Sequence, residues 1–198
     1  MEKRMDAEVG SAKAALRRTM KARRAAEPDR AVPDGEILKN LFSVPAFSAA
    51  EDVFIYYSLP EEADTHRIIG ELLAQNKRVY LPRTEGKDMI FVRYAGGPLQ
   101  RGRFGVFEPA GEGVPSIGSI GSAVCILPLL AADRQFHRLG YGGGYYDRFL
   151  AVRGKDMLKI GIGYDFQLID RVPSEGHDIL LDMLVTDAGV LVRKKIGG

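Results

Sequence analysis

Between Ala123 and Leu127 the chain reads AVCIL, a continuous apolar run with no polar alternation. A strand of this kind is buried on both faces and belongs in the interior of a parallel sheet. The residues beyond that strand narrow the possibilities further. After a segment carrying Asp133 comes Arg138-Leu139-Gly140-Tyr141-Gly142-Gly143-Gly144-Tyr145-Tyr146-Asp147-Arg148. Gly140, Gly142, Gly143 and Gly144 make a poor helix start, since each costs about 1 kcal/mol relative to alanine inside a helix. They do let the backbone approach a ligand and turn several N–H groups toward one anion. Arg138 and Arg148 add positive charge, and Asp147 offers an oxygen suited to a hard cation such as Mg²⁺. The segment reads as a phosphate-handling loop between strand and helix, beyond a strand's carboxyl end, where open α/β sheets bind ligands. The same cluster also suits a plain surface turn with a helix cap. It is not a nucleotide loop ending in Gly-Lys-Ser/Thr. Nor is it a dinucleotide fingerprint, because Tyr145 stands where the third glycine belongs.

Strand-like runs at Asp52–Ser58, Arg78–Pro82, Met89–Tyr94 and Leu158–Gly163, with shorter ones at Leu184–Thr186 and Val190–Val192, are interleaved with helical segments. Those segments are Ser11–Ala26, Gly35–Phe42, Thr65–Gln75 and Gly144–Val152. The alternation predicts an α/β fold: a mostly parallel twisted sheet with helices on both faces. A length of 198 residues fits one domain spanning 1–198, with Gly111–Ser122 as a long loop inside it. The net charge of +2 argues against a dedicated nucleic-acid binder. No apolar run approaches membrane-spanning length and no signal peptide opens the chain, so a cytoplasmic location is expected. Cys125 is the single cysteine, which excludes an internal disulfide. Its place within the apolar strand predicts an inert core thiol.

The helix at Ser11–Ala26 is strongly basic. From Ser11 to Arg30, Lys13, Arg17, Arg18, Lys21, Arg23, Arg24 and Arg30 stand against Glu27 and Asp29. Lys13, Arg17 and Arg24 share one face, with Leu16 and Met20 on a neighbouring one. Composition leaves two readings open, a solvated basic helix or a cationic side that reaches phosphates. Acids beside element ends, such as Asp64 and Asp182, most simply cap helices or terminate strands.

The run LPLLAADRQFHRLGYGGGYYDRFL, from Leu127 to Leu150, resembles the signature of the 5-formyltetrahydrofolate cyclo-ligase family. So do Lys13-Ala14-Ala15-Leu16-Arg17, the stretch Arg103-Phe104-Gly105-Val106-Phe107-Glu108-Pro109, and a closing pattern of Gln167, Pro173, His177-Asp178, Asp182 and Thr186. The resemblance spans Lys13 to Thr186 and implies a single-domain three-layer α/β/α fold. It implies ATP contacts from Lys13 and Arg17 and from Arg138, Leu139, Gly140, Tyr141, Gly142, Gly143, Gly144, Tyr145 and Tyr146. Glu62 would bind the reduced pterin, with Tyr57 beside it and residues Tyr141 to Tyr145 near the substrate. A carboxylate suits that task because it accepts a forked pair of N–H donors. Arg138 and Tyr145 would be catalytic, and Asp147 and Asp182 would hold Mg²⁺.

Phe104 stands where the family usually has Trp, and Phe136 where it often has Gly. Arg18, Lys21 and Arg23 gain nothing from the match and read as surface charge; Glu108 is left without a role, and His177 reads as a local hydrogen-bonder. The implied reaction closes 5-formyltetrahydrofolate to 5,10-methenyltetrahydrofolate with ATP as co-substrate. The partners are then the folate and ATP, with no nucleic acid and no membrane, and a monomer is expected. Two alternatives stay open, a folate- or nucleotide-binding protein without turnover and a related ATP-dependent ligase on another N-formyl substrate.

Overall fold

The computed structural model describes residues 2–27, 29–113, 123–154, 156–176 and 178–194, with the backbone alone at 2–6 and 104. The chain opens with helices α1 (Glu2–Ala25), α2 (Ala31–Phe42) and α3 (Pro45–Ala49), succeeded by strand β1 (Asp52–Phe54) and α4 (Thr65–Ala74). Next come β2 (Arg78–Glu85), β3 (Asp88–Tyr94), β4 (Leu99–Arg101), β5 (Phe107–Pro109) and β6 (Ala123–Leu127). Strands β7 (Ala131–Asp133) and β8 (Arg138–Leu139) precede α5 (Tyr145–Arg153). The fold closes with β9 (Met157–Ile162), β10 (Leu168–Ile169), β11 (Met183–Thr186) and β12 (Gly189–Val192).

A seven-stranded sheet in the order β12-β11-β9-β6-β1-β2-β3 forms the centre. Neighbours from β11 through β2 are parallel, and the edges β12 and β3 are antiparallel. The mostly parallel α/β sheet read from the sequence is therefore present. β6 lies at its middle and is buried at all five residues, as a strand covered on both faces should be. On one face Val53, Ile55, Val79, Val124, Ile126 and Ile160 meet Ile37 and Leu41 of α2, Phe47 of α3, and Ile68 and Leu72 of α4. On the other, Phe54, Cys125, Leu127 and Met157 meet Leu150 and Phe149 of α5. Burial pushes the Cys125 thiol up to about 12, as expected of a core cysteine. Among the described residues no helix is long and apolar enough to cross a membrane.

Local chemistry sets the element ends. The Asp64 carboxylate accepts the His66 N–H at 2.8 Å and starts α4. Asn76, at φ 57°, ends it: its N–H goes to Leu73 O and that of Lys77 to Leu72 O, the paired bonds of a left-handed helix stop.

The amino-acid pattern did not predict one feature. Between β6 and the glycine loop the chain makes a hairpin, β7 antiparallel to β8, with β10 parallel to β7 on its other side. Its turn is organised by Asp133, which is 1% exposed. Asp133 Oδ1 accepts the N–H of Gln135 at 2.9 Å and of His137 at 3.0 Å, and Oδ2 accepts the N–H of Val172 at 2.9 Å. Phe136 closes the turn in the left-handed region, at φ 68°. Glycine is favoured there because a Cβ costs roughly 1–2 kcal/mol. Phe136 tolerates it because the residue is only 9% exposed and its ring joins the core cluster of Leu127, Leu129 and Leu181, a burial worth about 1.5–3 kcal/mol.

Urea unfolding checks both residues. Phe136→Gly relieves the backbone yet leaves the protein less stable by about 1–2 kcal/mol, because losing the buried ring outweighs the relief. Asp133→Asn sets an amide NH₂ against backbone N–H donors and costs about 2–3 kcal/mol.

Candidate active site

The hairpin delivers the glycine loop to the carboxyl side of the sheet, and α1 packs beside it through Met20 and Leu16 against Leu130, Leu139 and Val172. The loop, α1 and the segment after β1 enclose a cavity of about 970 Å³. Gly142 (φ 98°) and Gly144 (φ 67°) both need the conformation that side chains resist. A Cβ on Gly142 would also stand 3.2 Å from the Arg17 guanidinium and one on Gly144 2.6 Å from Arg148, crowding that those long side chains could relieve by shifting. Gly144 is also the N-cap of α5, with no side-chain hydrogen bond capping that helix start. The first N–H groups of α5 thus carry the positive end of its dipole toward the loop.

Three of the cations on α1 lie where the sequence put them. Lys13, Arg17 and Arg24 line the cavity. Arg17 Nε donates to Gly140 O at 2.9 Å. Lys13 Nζ is 2.6 Å from Glu175 and 2.7 Å from Asp178. Burial alone would lower the Lys13 pKa, but these two ion pairs outweigh it and raise it. Lys21 is exposed, as its reading as surface charge expects, and stands on the cavity rim. Helical spacing carried the signal, since Lys13, Arg17 and Lys21 recur every fourth residue.

Beneath the loop, Arg138 Nη1 donates to Pro128 O at 3.1 Å and Nη2 to Asp147 Oδ1 at 3.0 Å. Its side chain is 5% exposed, and Nε is buried with no hydrogen-bond partner among the described residues. Leu139 lines the cavity with its side chain sunk in the core. Tyr145 and Tyr146 line the wall, and Arg148 lies over the Tyr145 ring with its carbon 5.1 Å from the centroid.

Across the cavity, Glu62 is held by the chain beyond β1. Thr65 fixes that chain by donating to Tyr56 O and accepting the Ser58 N–H, both inside the core. Glu62 Oε2 accepts the Leu59 N–H at 2.8 Å, and Oε1 accepts the Tyr141 hydroxyl from within the glycine loop. Burial raises the Glu62 pKa, opposed by those two donors and by Arg24. Tyr57 presents its ring beside it, stacked on His66 at 3.9 Å between centroids.

Of the two acids that the resemblance assigns to Mg²⁺, the structure places Asp147 on the cavity wall and Asp182 away from it. Asp182 Oδ2 is 2.9 Å from Lys159 Nζ and Oδ1 is 2.9 Å from Arg193 Nη2, and Asp182 does not line the cavity. Burial alone would raise its pKa, but the Lys159 N–H and ammonium and the Arg193 guanidinium together lower it. Its carboxylate is committed to protein cations. Asp147 does line the cavity, with its side chain 37% exposed. Glu175, Asp178 and Glu108 line it too, although sequence reasoning gave none of them a role. His177 and the Phe104 side chain lie outside the described residues.

Residues 9–187 match the model of the 5-formyltetrahydrofolate cyclo-ligase family. The chain belongs to this family. The 5-formyltetrahydrofolate cyclo-ligase of Haemophilus influenzae is 34% identical over 143 residues, covering 69% of this chain and 76% of that protein. That of Escherichia coli K12 is 31% identical over 174 residues, covering 85% and 96%. The solution structure of 5,10-methenyltetrahydrofolate synthetase from Aquifex aeolicus superposes with a TM-score of 0.79 at 30% identity, covering 94% of this chain and 96% of that one. The matched residues of this cyclo-ligase-family chain contain the whole cavity wall, from Gly10 to Asp178.

Stability against pH checks the burial of Glu62. A carboxyl whose folded pKa is raised contributes its stability below the unfolded value of about 4.3 and loses it as pH rises through the folded value. The unfolding free energy of the wild type should therefore fall across that window relative to Glu62→Gln, as tracked by denaturant titration at stepped pH.

Proposed function

We propose that this protein catalyses the ATP- and Mg²⁺-dependent closure of 5-formyltetrahydrofolate to 5,10-methenyltetrahydrofolate, releasing ADP and phosphate. The observation that carries this reading is that one cavity joins a backbone anion cradle to a buried carboxylate, within a chain of the cyclo-ligase family. Gly140 to Gly144 and the start of α5 supply N–H groups for phosphate oxygens, and Lys13, Arg17 and Arg138 balance their charge. ATP arriving at Lys13 exchanges with Glu175 and Asp178, its present partners. Glu62 accepts neighbouring N–H donors on the pterin edge, and the ring lies near Tyr57 and Tyr145.

The chemistry explains why phosphate is needed. The formyl oxygen is amide-like and leaves poorly as oxide or hydroxide. Its attack on the γ-phosphorus breaks the bond to ADP and makes a phosphorylated oxygen. N10 then attacks the formyl carbon, the C–O bond breaks, phosphate departs with that oxygen, and N10 releases its proton. The protein's part is to align the γ-phosphoryl group with the formyl oxygen, hold N10 within reach and exclude water.

Mg²⁺ fits Asp147, a partly exposed hard-oxygen donor at the end of the cradle, which would share its carboxylate between the ion and Arg138. This ion commonly completes its shell from phosphates and water, so the absence of a cluster of three or more ligating side chains among the described residues does not conflict with it. When bound it neutralises charge on the transferring phosphoryl group. Soluble, monomeric, cytoplasmic action on small molecules completes the reading.

Purified protein mixed with Mg-ATP and 5-formyltetrahydrofolate should show an ATP-dependent rise in the near-UV absorbance of the methenyl product; no rise overturns the proposal. Arg138→Ala should lower kcat/KM by at least about a hundredfold, corresponding to roughly 3 kcal/mol. Its melting temperature should fall far less than a loss of fold would require.

A further inference from the structure

We propose that Arg24 is a positioning residue which, through the Tyr141 hydroxyl, holds Glu62 as an ionised, oriented acceptor and ties the glycine loop to it. The inference rests on the reading of Glu62 as the acid that meets the pterin. It begins with a hydroxyl whose direction is forced. Arg24 Nη1 lies 2.5 Å from Tyr141 Oη. A guanidinium only donates, so Oη must accept from it, and its single hydrogen is left for Glu62 Oε1. The chain Arg24–Tyr141–Glu62 thus runs one way, from the last turn of α1 through the loop to the segment after β1.

Arg24 is itself fixed. It is 5% exposed, its guanidinium lies 5.5 Å from the Tyr141 ring centroid, and its carbonyl accepts a hydrogen bond from Arg30. An ionised carboxylate has about four acceptor positions. Tyr141 and Leu59 each take one, on different oxygens. Each oxygen keeps room for another donor, so a forked N–H pair is received with the tether intact.

The surroundings explain why the tether is needed. Tyr56 faces Glu62 from the chain beyond β1, Tyr146 from α5 and Tyr164 from the segment after β9, and burial keeps all three phenols neutral. Tyr164 spends its hydroxyl on Asp34 and the Glu62 carbonyl. Glu61 opposes a second negative charge, whereas Arg24 favours it. Lys21, 5.7 Å from the Tyr141 ring centroid, adds its charge behind the phenol.

The test uses ligand-free protein with ¹³C-labelled glutamate, tracking the Glu62 carboxyl resonance against pH, assigned by its loss in Glu62→Gln. The midpoint should move up in Tyr141→Phe and in Arg24→Gln, and return toward the wild-type value in Arg24→Lys. Under turnover, each of Tyr141→Phe and Arg24→Gln should raise KM for 5-formyltetrahydrofolate about tenfold while kcat changes much less. The acid limb of kcat/KM should move to higher pH. The double variant should lose clearly less than the product of the two single losses, because Arg24 acts in large part through that hydroxyl, beside its direct charge effect on Glu62. Tyr141→Phe keeps the ring and is the variant to judge by if Arg24→Gln folds poorly. An unmoved midpoint in Tyr141→Phe, or losses that multiply in the double variant, overturns the proposal. If the wild type turns over nothing, the functional reading fails, and the resonance alone decides whether the tether tunes Glu62.

Discussion

One buried carboxylate sets the geometry on which the cavity depends. Asp133 collects three backbone N–H groups from two separate stretches, the turn before β8 and the chain at Val172. Charge-assisted bonds of this kind are among the stronger ones available inside a protein. They hold the β7–β8 hairpin against β10, and β8 is where Arg138 begins the glycine loop. Phe136 extends the same logic to strain: a left-handed residue with a side chain persists because its ring is locked into the core beneath the turn. The glycine loop is thus mounted on a rigid base, which is what positioning chemistry requires.

The second theme is balanced charge. Lys13, Arg17, Lys21, Arg24, Arg103 and Arg138 line the cavity opposite Glu61, Glu62, Glu108, Asp147, Glu175 and Asp178. Buried or half-buried charge is costly without partners, and much of this set is already paired or hydrogen-bonded within the protein. A polyanionic ligand therefore joins or exchanges existing pairs. Affinity at such a site depends on the difference between two sets of contacts, not on the sum of one.

Much of this was legible in the sequence, for physical reasons that differ from element to element. AVCIL announced a central strand because burial on both faces leaves no place for a polar residue. The glycine loop was legible because positive φ selects glycine, and the structure shows it at Gly142 and Gly144. The hairpin was not legible, since strands of three and two residues are too short to carry a period. Lys21 and Arg24 escaped a role because a helix face is readable from spacing, whereas what it faces is not. The surroundings of Asp182 were hidden for a related reason. An acid at a strand start looks the same in sequence whether its partner is a metal ion or, as here, Lys159 and Arg193.

The aromatic lining of the cavity has an optical consequence. The chain contains eight tyrosines and no tryptophan, and Tyr56, Tyr57, Tyr141, Tyr145 and Tyr146 stand on the cavity wall. With tryptophan absent, its intrinsic emission is dominated by tyrosine, and five of the eight tyrosines line this one cavity. Any aromatic guest that quenches them announces its own arrival, so the protein carries an unlabelled fluorescent gauge of how full it is.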